Sequence, residues 1–377
     1  MNTFGVKVKA RCFIEYDSVA DLVDIEFEEL ARPVLHIGGG SNLLFTDDFK
    51  GTVLHSKIDF IEILDECQCV PVSSCHCEER SDVTISSPVL VSVGAGVVFD
   101  DFCAWAAKEG LWGVENLSYI PGEVGASAVQ NIGAYGVEVK DVIRRVYCYD
   151  TVEEEFVNFS VEECEYGYRD SIFKDPEVKG RYIVTHVVFA LSREPKPVLD
   201  YGHLREATSA GGTSSQPSHC QSESLTPSLI RKTIIKIRKE KLPEPSVKGS
   251  AGSFFKNPVV PMEHYLRIEA AAKAEFGPDY KVPHYIIETE PSSCHPEQSE
   301  GSVPGSLVKI PAAWMIEQCG WKGKRSGGAA VWDKQPLVIV NHTGEAYPEE
   351  IIGLEKRIVA SIQAKFGVEL HPEVEHI

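Results

Sequence analysis

Two groups of residues in this chain have types and spacings that suit chemistry. The first is glycine. The stretch from Asn116 to Gly136, NLSYIPGEVGASAVQNIGAYG, is made almost entirely of small or uncharged residues. A backbone without Cβ atoms can approach a flat or anionic group closely, and its free N–H groups bind phosphate. Similar segments lie upstream in LHIGGGSNLLF, Leu35 to Phe45, and VSVGAGVVFDDFCAW, Val91 to Trp105. Each is fed by an apolar run. Together they point to a large cofactor held by main chain. The plainer reading is a glycine-rich core sheet with tight turns.

The second group is a few side chains. Arg169 sits in the turn-like run Tyr168-Arg169-Asp170. A guanidinium there suits a carboxylate gripped by paired hydrogen bonds; the alternative is a surface ion pair. Ser253 lies in GSAGSFFKNP, where a hydroxyl in a crowded turn suits proton donation to a reacting carbon, or is an ordinary turn serine. Position 255 is Phe, so no Gly-x-Ser-x-Gly elbow is present and a hydrolase nucleophile is not indicated. Glu373 follows Pro372 in an apolar-flanked tail, as a buried, tuned carboxylate or a surface charge. Lys241, Lys256 and Lys322 suit an anionic, phosphate-bearing substrate, or are simply solvated.

The elements that must position these groups follow from composition and pattern. With 377 residues, 43% hydrophobic and 25% charged, the chain has room for two to three ordinary globular domains. Its net charge of -19 argues against general nucleic-acid binding. No apolar run nears the ~20 residues that span a bilayer, and the N-terminus has no apolar signal region. A cytoplasmic protein that does not engage membranes is expected. Eleven cysteines, an odd and scattered set, do not form a disulfide framework.

Periodicity predicts helices over DLVDIEFEEL, from Phe99 to Glu109, from Thr226 to Lys241, from Met262 to Phe276 and from Pro348 to Phe366. It predicts strands at Ile58–Leu64 and Tyr182–Leu191 and a hairpin over Val142–Phe159. Three Ser-rich segments with Cys near His interrupt this pattern, in ECQCVPVSSCHCEERSDVTISSP, SQPSHCQSES and SSCHPEQSEGS. Cys67-x-Cys69 and Cys75-x-Cys77 suggest zinc, but the recurrence of the composition marks related surface insertions. No metal site is expected.

In order along the chain, GGGSN, PGEVGASAVQNIGAYG, YGYRDSIFK, AGSFFKNP and HPEVEHI closely resemble the UDP-N-acetylenolpyruvoylglucosamine reductase (UDP-N-acetylmuramate dehydrogenase) family, in its longer type. The match spans nearly everything outside the insertions. It implies an α+β flavoprotein: a two-subdomain FAD-binding unit, vanillyl-alcohol-oxidase/PCMH-like, at residues 1–65 and 66–241, and a substrate-binding domain at 242–377 whose tail returns to the active site. Insertions fall near 66–88, 207–225 and 288–305.

The resemblance further implies that NADPH reduces the flavin and that the substrate is UDP-N-acetylenolpyruvoylglucosamine, with the chain acting as a monomer. Arg169, Ser253 and Glu373 match the catalytic residues, Ser253 protonating C2 of the enolpyruvyl group. Gly38, Gly39, Gly40, Ser41, Asn42, Ile120, Pro121, Gly122, Gly125, Ala126, Asn131, Gly133 and Arg238 match flavin contacts. Tyr168, Tyr201, Lys241, Asn257, Lys322 and Gln335 match substrate contacts. At position 375 this chain has Glu where some members have Arg. The rival readings are an oxygen-using FAD oxidoreductase on the same fold and a flavin- or nucleotide-sugar-binding protein without turnover.

Overall fold

The computed structural model describes residues 2–64, 87–201, 204–209, 225–287 and 306–377. The inserted segments, and with them the Cys67–Cys77 zinc reading, lie outside the described residues apart from 87–88, 207–209 and 225. The helix Leu204–Ser209 therefore carries regular structure just past the expected start of the second insertion. The chain divides into two compact units. One holds residues 8–40 and 48–240; the other holds 1–7, 41–47 and 241–377. Sequence placed residues 1–7 and 41–47 with the first subdomain, but they belong to the C-terminal unit.

The larger unit contains two sheets. Ala10–Tyr16, Phe49–Ser56 and Val34–Ile37 form a parallel three-stranded sheet with Phe49–Ser56 at its centre. Parallel neighbours need long crossovers. The one from Ile37 to Phe49 contains the glycine run and passes through residues assigned to the other unit. The second sheet is antiparallel, ordered Glu155–Ser160, Ile143–Asp150, Tyr182–Leu191, Val89–Gly94, Ile61–Ile63.

Helix Phe99–Lys108 buries Phe99, Phe102, Cys103, Ala106 and Ala107, one face at helical spacing. The rings of Phe102 and Phe189 lie 4.6 Å apart. Full burial of a side chain of this size stabilises the fold by roughly 1.5–3 kcal/mol. Helix Pro227–Lys241 starts with Pro, and the Leu229 N–H donates to Thr226 Oγ1 at 3.2 Å. Its Ile230 and Ile234 pack with Trp112, Leu199 and Leu204.

The helix expected over DLVDIEFEEL is shorter and earlier, Val19–Val23, followed by turns. Leu22 and Phe27 bury into one cluster, and five positions apart on a helix they would face different ways. Repulsion among the crowded acidic residues works against the helix as well.

The smaller unit has an antiparallel sheet ordered Gly249–Ser250, Ile339–Asn341, Ala329–Val331, Arg325–Ser326. A second, three-stranded sheet of this unit is ordered Val259–Pro261, Leu307–Lys309, Tyr285–Ile287. Helices Met262–Phe276, Ala312–Gln318 and Pro348–Phe366 complete it. The last buries Ile351, Leu354, Ile358 and Ile362 and stops at Gly367, which is left-handed at φ 65°. Strand Glu375–His376 then pairs in parallel with Leu43–Leu44.

Candidate active site

In the larger unit the glycine run Gly38–Gly40 leaves the end of strand Val34–Ile37. A Cβ on Gly38 would stand 2.9 Å from Ala126 Cβ, and one on Gly39 would stand 3.8 Å from Gly122 Cα. The two glycine-rich loops therefore lie side by side, the first packed on the side chains of Ala126 and Glu123 and close to the Gly122 backbone. Gly122 has φ 123°, a conformation closed to other residues. Gly125 and Ala126 lie on helix Val124–Gln130, a short helix that sequence did not predict within this stretch. Ile120 packs on the main core, and Pro121 is exposed.

Asn131 ends that helix in the left-handed conformation. Its Nδ2 donates to Gly167 O at 2.7 Å and to Glu138 Oε2 at 3.1 Å. Arg169, itself at φ 57°, donates from Nη1 to Asn131 O at 3.2 Å and from Nη2 to Gly133 O at 2.5 Å. Its guanidinium lies 5.6 Å from the Tyr168 ring centroid. Three of the expected site residues, Asn131, Gly133 and Arg169, thus form one hydrogen-bonded group. Tyr201 is 41% exposed, its ring edge-on to Tyr135 at 6.3 Å.

Arg238 donates from Nε to Tyr119 O at 3.0 Å. Burial pulls its pKa below the usual guanidinium value. Among the described residues no carboxylate forms an ion pair with it, since nearby Asp100 is taken by Arg231. The Tyr119 amide donates to Asp100 Oδ1 at 2.5 Å, so both backbone groups of this residue, left-handed at φ 62°, are pinned. Sequence missed Asp100 because its role depends on a loop distant along the chain.

In the smaller unit Ser253 is half-buried between Gly252 and the fully buried Phe254. Phe254 N–H donates to Leu337 O at 2.8 Å, and Phe254 O accepts from Glu373 N–H at 2.8 Å. Lys256 N–H donates to His371 O at 2.9 Å. The C-terminal tail is therefore laced alongside the Ser253 segment. Asn42 joins them, donating from Nδ2 to Glu373 O at 3.1 Å and accepting from Glu375 N–H at 2.9 Å. Ser41, beside it, is half-buried.

The other expected substrate contacts are more dispersed. Asn257 Oδ1 accepts from Ala312 N–H at 2.9 Å, satisfying a free amide at the start of helix Ala312–Gln318. Lys322 is exposed and pairs with Glu317 at 2.7 Å. Lys241 is exposed, and its carbonyl accepts from Trp332 Nε1 at 3.0 Å. Gln335 closes a turn through its carbonyl, which accepts from Val338 N–H at 3.0 Å. Among the described residues no group of three or more His, Cys, Asp or Glu is placed to hold a metal.

Two observations fit FAD. The apposed glycine loops meet with no Cβ atoms on the glycine side, and beside Tyr119 stands a guanidinium that no carboxylate among the described residues pairs. Residues 10–157 match the FAD binding domain model, which defines the class as an FAD-binding protein. Residues 244–377 match the C-terminal domain model of UDP-N-acetylenolpyruvoylglucosamine reductase. A Bacteroides fragilis (strain YCH46) protein of that name is 46% identical over 377 residues, 100% of this chain and 97% of that one. A Porphyromonas gingivalis relative is 39% identical over 381 residues, covering 100% and 96%. The chain belongs to the UDP-N-acetylenolpyruvoylglucosamine reductase family. The solved reductase from Thermus caldophilus shares the fold, with a TM-score of 0.59 at 22% identity, covering 100% of this chain and 95% of that one.

Proposed function

We infer that the chain is an FAD-dependent reductase of UDP-N-acetylenolpyruvoylglucosamine, forming UDP-N-acetylmuramate for peptidoglycan synthesis. Family membership across the whole chain and the FAD-binding match support this. FAD, when bound, would supply the hydride for C3 of the enolpyruvyl group and would be renewed by NADPH. The main chain of Gly38–Asn42 and Ile120–Gly122, with Gly125, Ala126, Asn131, Gly133 and Arg238, would hold the cofactor.

Negative charge then develops at C2 and on the substrate carboxylate. Arg169, oriented by two carbonyls, stabilises that charge. Glu373 stabilises it as a protonated acid or through Arg169 or water. Ser253 Oγ donates the proton to C2. Tyr168, Tyr201, Lys241, Asn257, Lys322 and Gln335 are assigned to the nucleotide sugar. The observation that most supports this assignment is the 2.8 Å bond between Glu373 N–H and Phe254 O, which sets the tail beside the serine's segment.

The two sheets of the larger unit would be the two FAD-binding subdomains, and the chain would work as a cytoplasmic monomer on small molecules alone. The deciding experiment is anaerobic. The purified protein should be yellow and should bleach rapidly with NADPH. It should then recover its colour on addition of the enolpyruvyl substrate, with UDP-N-acetylmuramate as product. A folded protein that cannot be reconstituted with flavin, or that recovers colour only with oxygen, overturns the reading.

A further inference from the structure

Beside the Gly38–Gly39 loop is an ionic chain, buried at His55 and largely so at Glu123 but exposed at Glu15, that the catalytic reading leaves unused. His55, on strand Phe49–Ser56, is 1% exposed. Its Nδ1 lies 2.9 Å from Glu15 Oε1 and its Nε2 2.9 Å from Glu123 Oε1. Glu15 is its direct partner on the neighbouring parallel strand. Glu123 occupies the N-cap of helix Val124–Gln130 yet makes no capping bond with its side chain. That carboxylate is turned to His55 instead. A Cβ on Gly38 would lie 3.2 Å from Glu123 Oε2, and one on Gly39 would lie 3.6 Å from Glu123 Oε1. The Glu123 side chain is therefore the surface against which the glycine loop packs.

A neutral imidazole has one N–H and one lone pair. With a carboxylate at each nitrogen, a neutral ring would turn its lone pair toward one of the two anions. Only the imidazolium donates to both, and removing its charge strands a mostly buried carboxylate. The other groups nearby do not replace it. Among the described residues, Lys57 Nζ pairs with Glu15 alone, at 3.9 Å. Burial draws the pKa of His36 down to about 4, so it is neutral, and its Nε2 is bonded to Tyr16 OH at 2.7 Å. Burial raises the Tyr16 pKa, keeping it neutral too. The Phe13 ring, 6.3 Å from the imidazole, carries no charge.

We propose that His55 is a positioning residue which, as the imidazolium, fixes Glu123 and through it the Gly38–Gly39 loop, so that losing its proton weakens FAD binding. This rests on the FAD reading above. The hydrogen bond with Glu123, against the opposing effect of burial and with help from Glu15, raises the His55 pKa. A raised folded pKa means the imidazolium's contribution to stability is complete below the ordinary histidine value of about 6.5 and is lost as pH rises through the raised one.

The test is a titration of the flavin-stripped full chain with FAD, followed by flavin fluorescence quenching from pH 6 to 8.5, with thermal unfolding recorded at each pH. The expected result is a Kd that rises about tenfold across the range in the parent protein, equivalent to one unit of pKa coupling. The profile should be flat in His55→Gln and in Glu123→Gln, the latter keeping the shape and a hydrogen bond to neutral imidazole. FAD binding with no pH slope in the parent, or the same slope in either folded variant, overturns the inference alone. A folded parent that takes up no FAD at any pH overturns the flavin reading and the inference with it.

Discussion

The amide of Glu373 donates to the carbonyl of Phe254 across 2.8 Å. One hydrogen bond thereby fixes the tail's carboxylate residue next to the residue that follows Ser253. The side chain of Asn42 grips the same tail residue through its carbonyl. The serine's segment, the tail and Asn42 are thus tied together within the smaller unit.

For Ser253 the proton-donor role separates the two half-reactions. Ser253→Ala should leave flavin reduction by NADPH nearly intact. Reoxidation by the enolpyruvyl substrate should slow by roughly 10²-fold or more, the scale of a lost general acid. Stopped-flow absorbance reads both steps, and an equal loss in each would remove Ser253 from the proton-transfer step.

For Arg169 the geometry sets a different expectation. Its two N–H bonds to the carbonyls of Asn131 and Gly133 use the planar fork of the guanidinium. Arg169→Lys keeps a charge but cannot reproduce that fork. Turnover should fall by about 10²-fold, the scale of a lost electrostatic stabiliser, while bound flavin per chain is retained. Steady-state kinetics beside the absorption spectrum checks this, and parent-like turnover would refute the role.

Asp100 makes a prediction in pH. Burial opposes its charge, but the bonds from Arg231 and the Tyr119 amide outweigh that and hold its pKa below the usual carboxylate range. A depressed folded pKa gives stability that is present above the unfolded value of about 3.9 and lost as pH falls through the folded one. Asp100→Asn should cost about 1.5–3 kcal/mol near pH 7, the range for hydrogen bonds to charged groups. The gap to the parent should close toward pH 3. Urea unfolding at the two pH values measures it, and a gap independent of pH would contradict the argument.

Gly38→Ala places a methyl 2.9 Å from Ala126 Cβ and 3.2 Å from Glu123 Oε2. The loops must part to admit it, at about 1–3 kcal/mol for overpacking. A lower Tm and reduced flavin content are expected. A variant with full flavin and an unchanged Tm would show that the loops need not touch.

Much of this architecture was legible in the residues. Helix Met262–Phe276 and strand Tyr182–Leu191 form at the predicted bounds, because apolar spacing and flanking glycine or charge act locally. The glycine runs announced close main-chain approach, since no other residue leaves that space. Other features were hidden. Val19–Val23 is shorter than its pattern because Phe27 is claimed by a core cluster that the local sequence does not reveal. Helix Val124–Gln130 forms in the run VGASAVQ, where Gly, Ser and Val offset the propensity of its two Ala, and Gly125 packs its backbone against Ala95. Residue types thus determined which groups were available for chemistry and which segments would coil or extend. Only the tertiary structure decided that Glu373 lies along Phe254, that Asp100 pins Tyr119 and that His55 bridges Glu15 and Glu123. Those pairings join groups distant in the chain, two of them through backbone N–H groups that every residue but proline carries, so no sequence pattern marks them in advance.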